Sequence, residues 1–151
     1  MKSTMAYVLA FAIASAASVD TVTACTCLTV PGSPRELVQA DKDISTAVFL
    51  GTVTDIRTES DGMQLTVRFS VERVWKGPVS SELTVSTHAQ TDACGFPFAL
   101  GRRFIVYARS HLQGPLSTYS CSRTRSDADG RDDFRYLGRS RRPPVPRTAS
   151  N

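Results

Sequence analysis

Cys25-Thr26-Cys27 constrains this chain more than any other stretch. It follows a segment with the pattern of an export signal. Lys2 supplies a small positive region, and Tyr7 to Ala17 is an apolar run too short to span a bilayer. Val22-Thr23-Ala24 then sets a small residue directly before Cys25. Residues 1–24 are therefore read as a signal peptide and Cys25 as the first residue of the mature protein. The other two cysteines, Cys94 and Cys121, lie far downstream. Four cysteines behind a signal peptide fit an exported domain with two bridges, which pin the new N-terminus to the body of the fold. Four cysteines allow three pairings, and spacing does not choose among them.

The expected location is secreted or extracellular. Val22-Thr23-Ala24-Cys25 also fits a lipoprotein signal, in which Cys25 carries a lipid anchor to the cell envelope. Asp20 interrupts the apolar run and counts against that alternative. Behind the signal, the 151-residue chain leaves enough for one domain with a modest core, assigned to residues 25–138. Residues 139–151 are rich in arginine and proline, with no acid among them. Such a segment buries too little apolar area to offset its ordering entropy, so it is expected to be a disordered tail.

Ser33-Pro34-Arg35-Glu36 has the form of a helix start, predicting a short helix from Pro34 to about Ala40. Strand character begins at Ala47 and runs to Ile56, with Gly51 marking a bulge. From Met63 to Trp75, Leu65, Val67, Phe69 and Val71 alternate with polar residues. Glu82 to Thr87, Arg103 to Ala108 and Leu116 to Ser120 complete five predicted strands, and Asp127 to Leu137 a second short helix. A bulged first strand and a long second strand suit a mainly β fold, a small closed barrel of the OB type with short flanking helices. Closure also hides strand edges.

Several function classes are set aside. No G-x-S-x-G elbow or other activated nucleophile occurs, so the chain is not read as an enzyme, and no cofactor is expected. His88 and His111 have no partner at ligand spacing and are read as surface residues. Asp127, Asp129, Asp132 and Asp133 do not fit a calcium loop and are read as a solvated helix start. Nucleic-acid binding is not expected, because Phe69 and Phe104 face inward and the arginines gather in the tail.

An ordered set of motifs carries a resemblance. It comprises Cys25-Thr26-Cys27, Phe49-Leu50-Gly51, Val71-Glu72-Arg73-Val74-Trp75-Lys76-Gly77, Ala93-Cys94-Gly95-Phe96 and Tyr119-Ser120-Cys121-Ser122. Together they resemble the N-terminal netrin-like domain of the tissue inhibitors of metalloproteinases, over roughly Cys25 to Arg125. The likeness implies bridges Cys25–Cys94 and Cys27–Cys121. It implies a zinc metalloproteinase as partner, with Cys25 on the protease zinc and Thr26 in the pocket beside it. Leu28 and Asp92-Ala93-Cys94-Gly95 are the implied flanking contacts, and Cys27 belongs to the same edge. The third bridge and the second cysteine-rich domain of animal inhibitors are missing, which points to a single-domain bacterial type acting as a monomer.

The chemistry explains why a processed cysteine stands first. A catalytic zinc keeps one open position for water. The α-amine and carbonyl oxygen of one residue can displace that water as a five-membered chelate. An amide nitrogen cannot, so a leftover residue or an acyl group on Cys25 abolishes ligation.

Overall fold

The computed structural model describes residues 25–144. The expected signal peptide at 1–24 and residues 145–151 of the expected tail lie outside the described residues. The first helix, α1 (Pro34–Ile44), starts as its sequence predicts. Ser33 accepts from the Glu36 amide, and the Glu36 carboxylate accepts from the Ser33 amide at 2.9 Å. α1 runs a turn beyond the expected end at Ala40. That extra turn carries Lys42, whose ammonium donates to the Leu137 carbonyl at 2.9 Å.

Five strands follow: β1 (Ala47–Thr58), β2 (Gln64–Lys76), β3 (Glu82–His88), β4 (Arg103–Ala108) and β5 (Arg125–Ser126). They form one antiparallel sheet in the order β3-β2-β1-β4-β5. A short 3-10 turn, Asp127–Asp129, leads into α2 (Arg131–Tyr136). The molecule is thus mainly β with two short helices, and its ladders form an open sheet rather than the expected closed barrel. The fifth strand also differs from expectation. Leu116 to Ser120 makes only isolated bridges through Ser117, to Ser86 on one side and Arg109 on the other. The fifth ladder falls to Arg125–Ser126, because a cluster of hydroxyls on Thr118, Ser122 and Thr124 turns the chain away from extended pairing.

The sequence pattern explains the layering. β1 and β4 read as continuous apolar runs because both faces are covered. Ala47, Phe49 and Val53 point into one cluster with Val67, Phe69, Val85, Phe104 and Val106. Val48 and Leu50 point the other way, onto Val38, Trp75, Ile105, Tyr107 and Leu137 under the helices. β2 alternates because only its inner face is covered until Val74 and Trp75. A register shift falls between Leu50 and Gly51, where a Cβ would meet the Ser70 carbonyl at 2.9 Å.

Val74-Trp75-Lys76-Gly77 joins the sheet to what surrounds it. Trp75 donates its indole N–H to the Gly138 carbonyl at 3.2 Å. The Lys76 ammonium closes the C-terminal end of α1, donating to the carbonyls of Lys42 and Asp43 at 2.9 and 2.7 Å. Val74 and Arg141 exchange two backbone hydrogen bonds of 2.8 Å each, so the start of the Arg/Pro segment pairs with the edge of β2.

The acidic run needs a correction. Asp127 pairs with Arg103 at 2.7 Å, but Asp133 is not solvated. It is fully buried, accepting from the Tyr107 hydroxyl at 2.6 Å and from Arg123 Nε at 2.7 Å. Leu137 packs inward as expected, while Phe134 stays at the rim beside Trp75. Among the described residues, no helix is long and apolar enough to cross a membrane.

Candidate functional site

The structure joins Cys25 to Cys94 and Cys27 to Cys121, each with Cα atoms 5.2 Å apart. Of the three possible pairings, this is the one the resemblance implies. The two bridges touch, with the sulfur of Cys25 3.8 Å from that of Cys121. Thr26, between them, is exposed, and Leu28 after them is 92% exposed. The sequence therefore yields a short exposed arm fixed on both sides of one residue. Three sulfurs of this group, on Cys25, Cys94 and Cys121, lie within 4.8 Å of one another. All three are oxidised in disulfides, so they offer no thiolate to a metal.

The anchor for Cys25 is a tight turn after β3. The Gly95 amide donates to the Gln90 carbonyl at 2.9 Å, and the Cys94 amide to the Thr91 carbonyl at 3.2 Å. Cys94 adopts a left-handed φ of 62°, a conformation that a non-glycine residue holds only where its surroundings fix it. Here the disulfide and the Ser120 amide, which donates to the Cys94 carbonyl at 2.9 Å, supply the constraint. Gly95 is buried beneath the turn, where a Cβ would sit 2.1 Å from the His88 carbonyl oxygen. Asp92 and Ala93 are exposed on the same turn.

Aromatic packing holds the turn from below. The Phe96 amide donates to the Thr87 hydroxyl at 2.8 Å. Phe96 and Phe98 pack at 4.6 Å with their rings tilted by 48°, and both meet Phe104 edge-on at 5.7 and 5.1 Å. Phe98 also meets Phe69, at 5.2 Å. Phe69 and Phe104 face inward, as their strand positions predict. Such contacts contribute about 0.5–1.5 kcal/mol each beyond area burial.

The anchor for Cys121 is polar. Thr118 donates its hydroxyl to the Tyr107 carbonyl at 3.0 Å and meets Ser122 and Thr124 at 2.8 Å. Arg123, two positions past Cys121, reaches the buried Asp133 and lies 3.8 Å from Asp41. Burial pushes the Asp41 carboxyl above its ordinary range, against the opposing charge of Arg123. Burial, reinforced by the Asp133 hydrogen bond, raises the Tyr107 phenol.

The structure thus brings Cys25, Thr26, Cys27, Leu28 and Cys94 to one edge through covalent bonds, with Asp92 and Ala93 on the adjoining turn. Gly95 serves as its support. The sequence reading missed Thr87, Ser120, Phe96 and Phe98 as anchors. The run Cys94-Gly95-Phe96-Pro97-Phe98 carried a usable signal, since two aromatics flanking a proline after a cysteine mark a stapled, packed loop. No protein-family model and no curated protein matches this chain.

Proposed function

We propose that the chain is a secreted, monomeric, non-enzymatic inhibitor of zinc metalloproteinases, related to the tissue inhibitors it resembles. In this reading, processing before Cys25 frees an α-amine, which chelates the catalytic zinc of the target together with the Cys25 carbonyl. Thr26 then enters the adjoining substrate pocket, flanked by Leu28, Asp92 and Ala93. The observation that carries the reading is the exposed Thr26 between two touching disulfides. A free N-terminus loses much entropy on docking, and bridges on both sides remove most of that loss beforehand. Thr26 adds little, being β-branched with few rotamers to lose.

The fold reading follows the same line. The bridges from Ser117 to Ser86 and to Arg109 link β3 back to the end of β4. We take these isolated bridges as a partial approach to an OB-type barrel, which the strand ladders themselves do not close.

Two measurements test the function. Intact mass from the native host is expected to start at unmodified Cys25 and to gain four hydrogens when both bridges are reduced. Inhibition of a zinc metalloproteinase panel is expected from this form and is lost at least 100-fold when one residue is added before Cys25. A lipid or acyl group on Cys25 would overturn the mechanism and leave an envelope-attached binding module.

A further inference from the structure

The two bridges are not equivalent toward solvent. Cys27 is exposed, whereas Cys25, Cys94 and Cys121 are half-buried. A thiolate that opens a disulfide must reach one of its sulfurs from outside, so Cys27 is the sulfur a small thiol meets first. Attack there forms a bond to Cys27 and breaks its bond to Cys121. The electron pair leaves on the Cys121 sulfur as a thiolate.

That thiolate forms in contact with the other bridge. In the oxidised fold the Cys121 sulfur lies 3.8 Å from that of Cys25, and the sulfur of Cys94 completes a group within 4.8 Å. A nucleophile held against its target reacts as one molecule with itself, without the entropy cost of a second encounter. The backbone favours one direction of attack. Attack on Cys25 expels Cys94, the residue held at a left-handed φ of 62°. Its release removes one of the constraints that keep a non-glycine residue in that conformation. Attack on Cys94 instead expels Cys25 and leaves the left-handed residue bridged.

We propose that Cys27 is a site of modification by small monothiols and that Cys121 relays the reaction to the Cys25–Cys94 bridge. The Cys121 thiolate bonds to the Cys25 sulfur, the Cys25–Cys94 bond breaks, and the pair leaves on Cys94, which takes a proton from water. Two disulfide bonds are present before the exchange, and two after it: thiol to Cys27, and Cys25 to Cys121. Nothing besides the thiol is consumed. Cys27 no longer ties the arm to the body of the fold, so Thr26 is fixed on one side only. The inference stands on the sulfur geometry and does not require zinc chelation. If the edge also docks a protease, the same exchange loosens it.

The test treats the mature, oxidised protein with a molar excess of reduced glutathione. The reaction is quenched, free thiols are capped with N-ethylmaleimide at mildly acid pH, and linkages are mapped by tandem mass spectrometry after non-reducing digestion. The first product is expected to carry glutathione on Cys27, maleimide on Cys94 and a Cys25–Cys121 bridge. Glutathione on Cys27 is expected to exceed that on the other three cysteines about tenfold or more. Maleimide on Cys121 with Cys25–Cys94 intact overturns the proposal. So does glutathione entering first at another cysteine, a Cys94–Cys121 bridge, or no reaction. Because no protease enters this assay, its failure leaves the inhibitor reading standing, and failure of inhibition leaves the exchange testable.

Discussion

Asp133 shows how a single side chain supports an edge it does not touch. It is fully buried, and its partner Arg123 has a side chain only 9% exposed. Arg123 sits just past Cys121, so the pair fixes the segment that carries the second bridge onto α2. Removing one member of a buried pair leaves the other charged and uncompensated, which outweighs the loss of the bond itself. Asp133→Asn keeps an acceptor for the Tyr107 hydroxyl but removes the carboxylate that pairs with both Arg123 and Arg125, leaving Arg123 only the 3.8 Å contact with Asp41. It is expected to cost about 3–5 kcal/mol, read as a lower denaturant midpoint at unchanged slope. Adding Arg123→Met to Asp133→Asn removes the more buried of the two arginine charges and is expected to recover part of that loss.

At the level of elements, the arm from Cys25 to Leu28 has no regular structure and depends on its bridges. The Cys27–Cys121 bridge spans a sequence separation of 94, but Cys25–Cys94 already shortens the path it closes. Its loss through Cys27→Ser with Cys121→Ser is therefore expected to cost about 3–4 kcal/mol, less than its span alone would give. The sheet and Cys25–Cys94 remain, and the proposed inhibition is expected to weaken at least tenfold because Thr26 becomes mobile before docking. A melting curve and an inhibition titration on one sample separate the two effects. The elements around the arm were largely legible in the sequence. The capping box at Ser33, the alternation through Phe69 and the bulge at Gly51 are local signals, and each element stands where its signal lies. Leu116 to Ser120 was misread because its β-rich composition competes with hydroxyl bonds formed only once Tyr107 and Thr124 are in place. Asp133 was misread because burial by Tyr107 and Arg123 is a tertiary fact with no mark in the local sequence. His88 and His111 are exposed, as the lack of partners at ligand spacing predicts.

On the proposed function, the chemistry of the whole molecule depends on one proton, that of the Cys25 α-amine. A processed α-amine has a reference pKa of about 7.7–8.0, so about a tenth to a sixth is neutral at pH 7. Only the neutral form ligates zinc, and affinity therefore rises with pH until the amine is deprotonated. Between pH 6 and 8 the neutral fraction grows about 30- to 50-fold, and the inhibition constant is expected to tighten by the same factor once the protease's own profile is divided out. The fold titrates differently. Hydrogen bonds from Ser33 hold Glu36 below its usual range, so its capping contribution is lost only as pH falls through that depressed value. Burial raises Asp41, so the folded state keeps that proton to higher pH than the unfolded chain, and stability falls as pH rises through the interval. The Asp41 share of stability thus falls as pH rises, whereas the proposed zinc affinity rises. Melting temperatures recorded across the same pH series separate them. A profile that stays flat, with the fold intact, would exclude the amine as a zinc ligand.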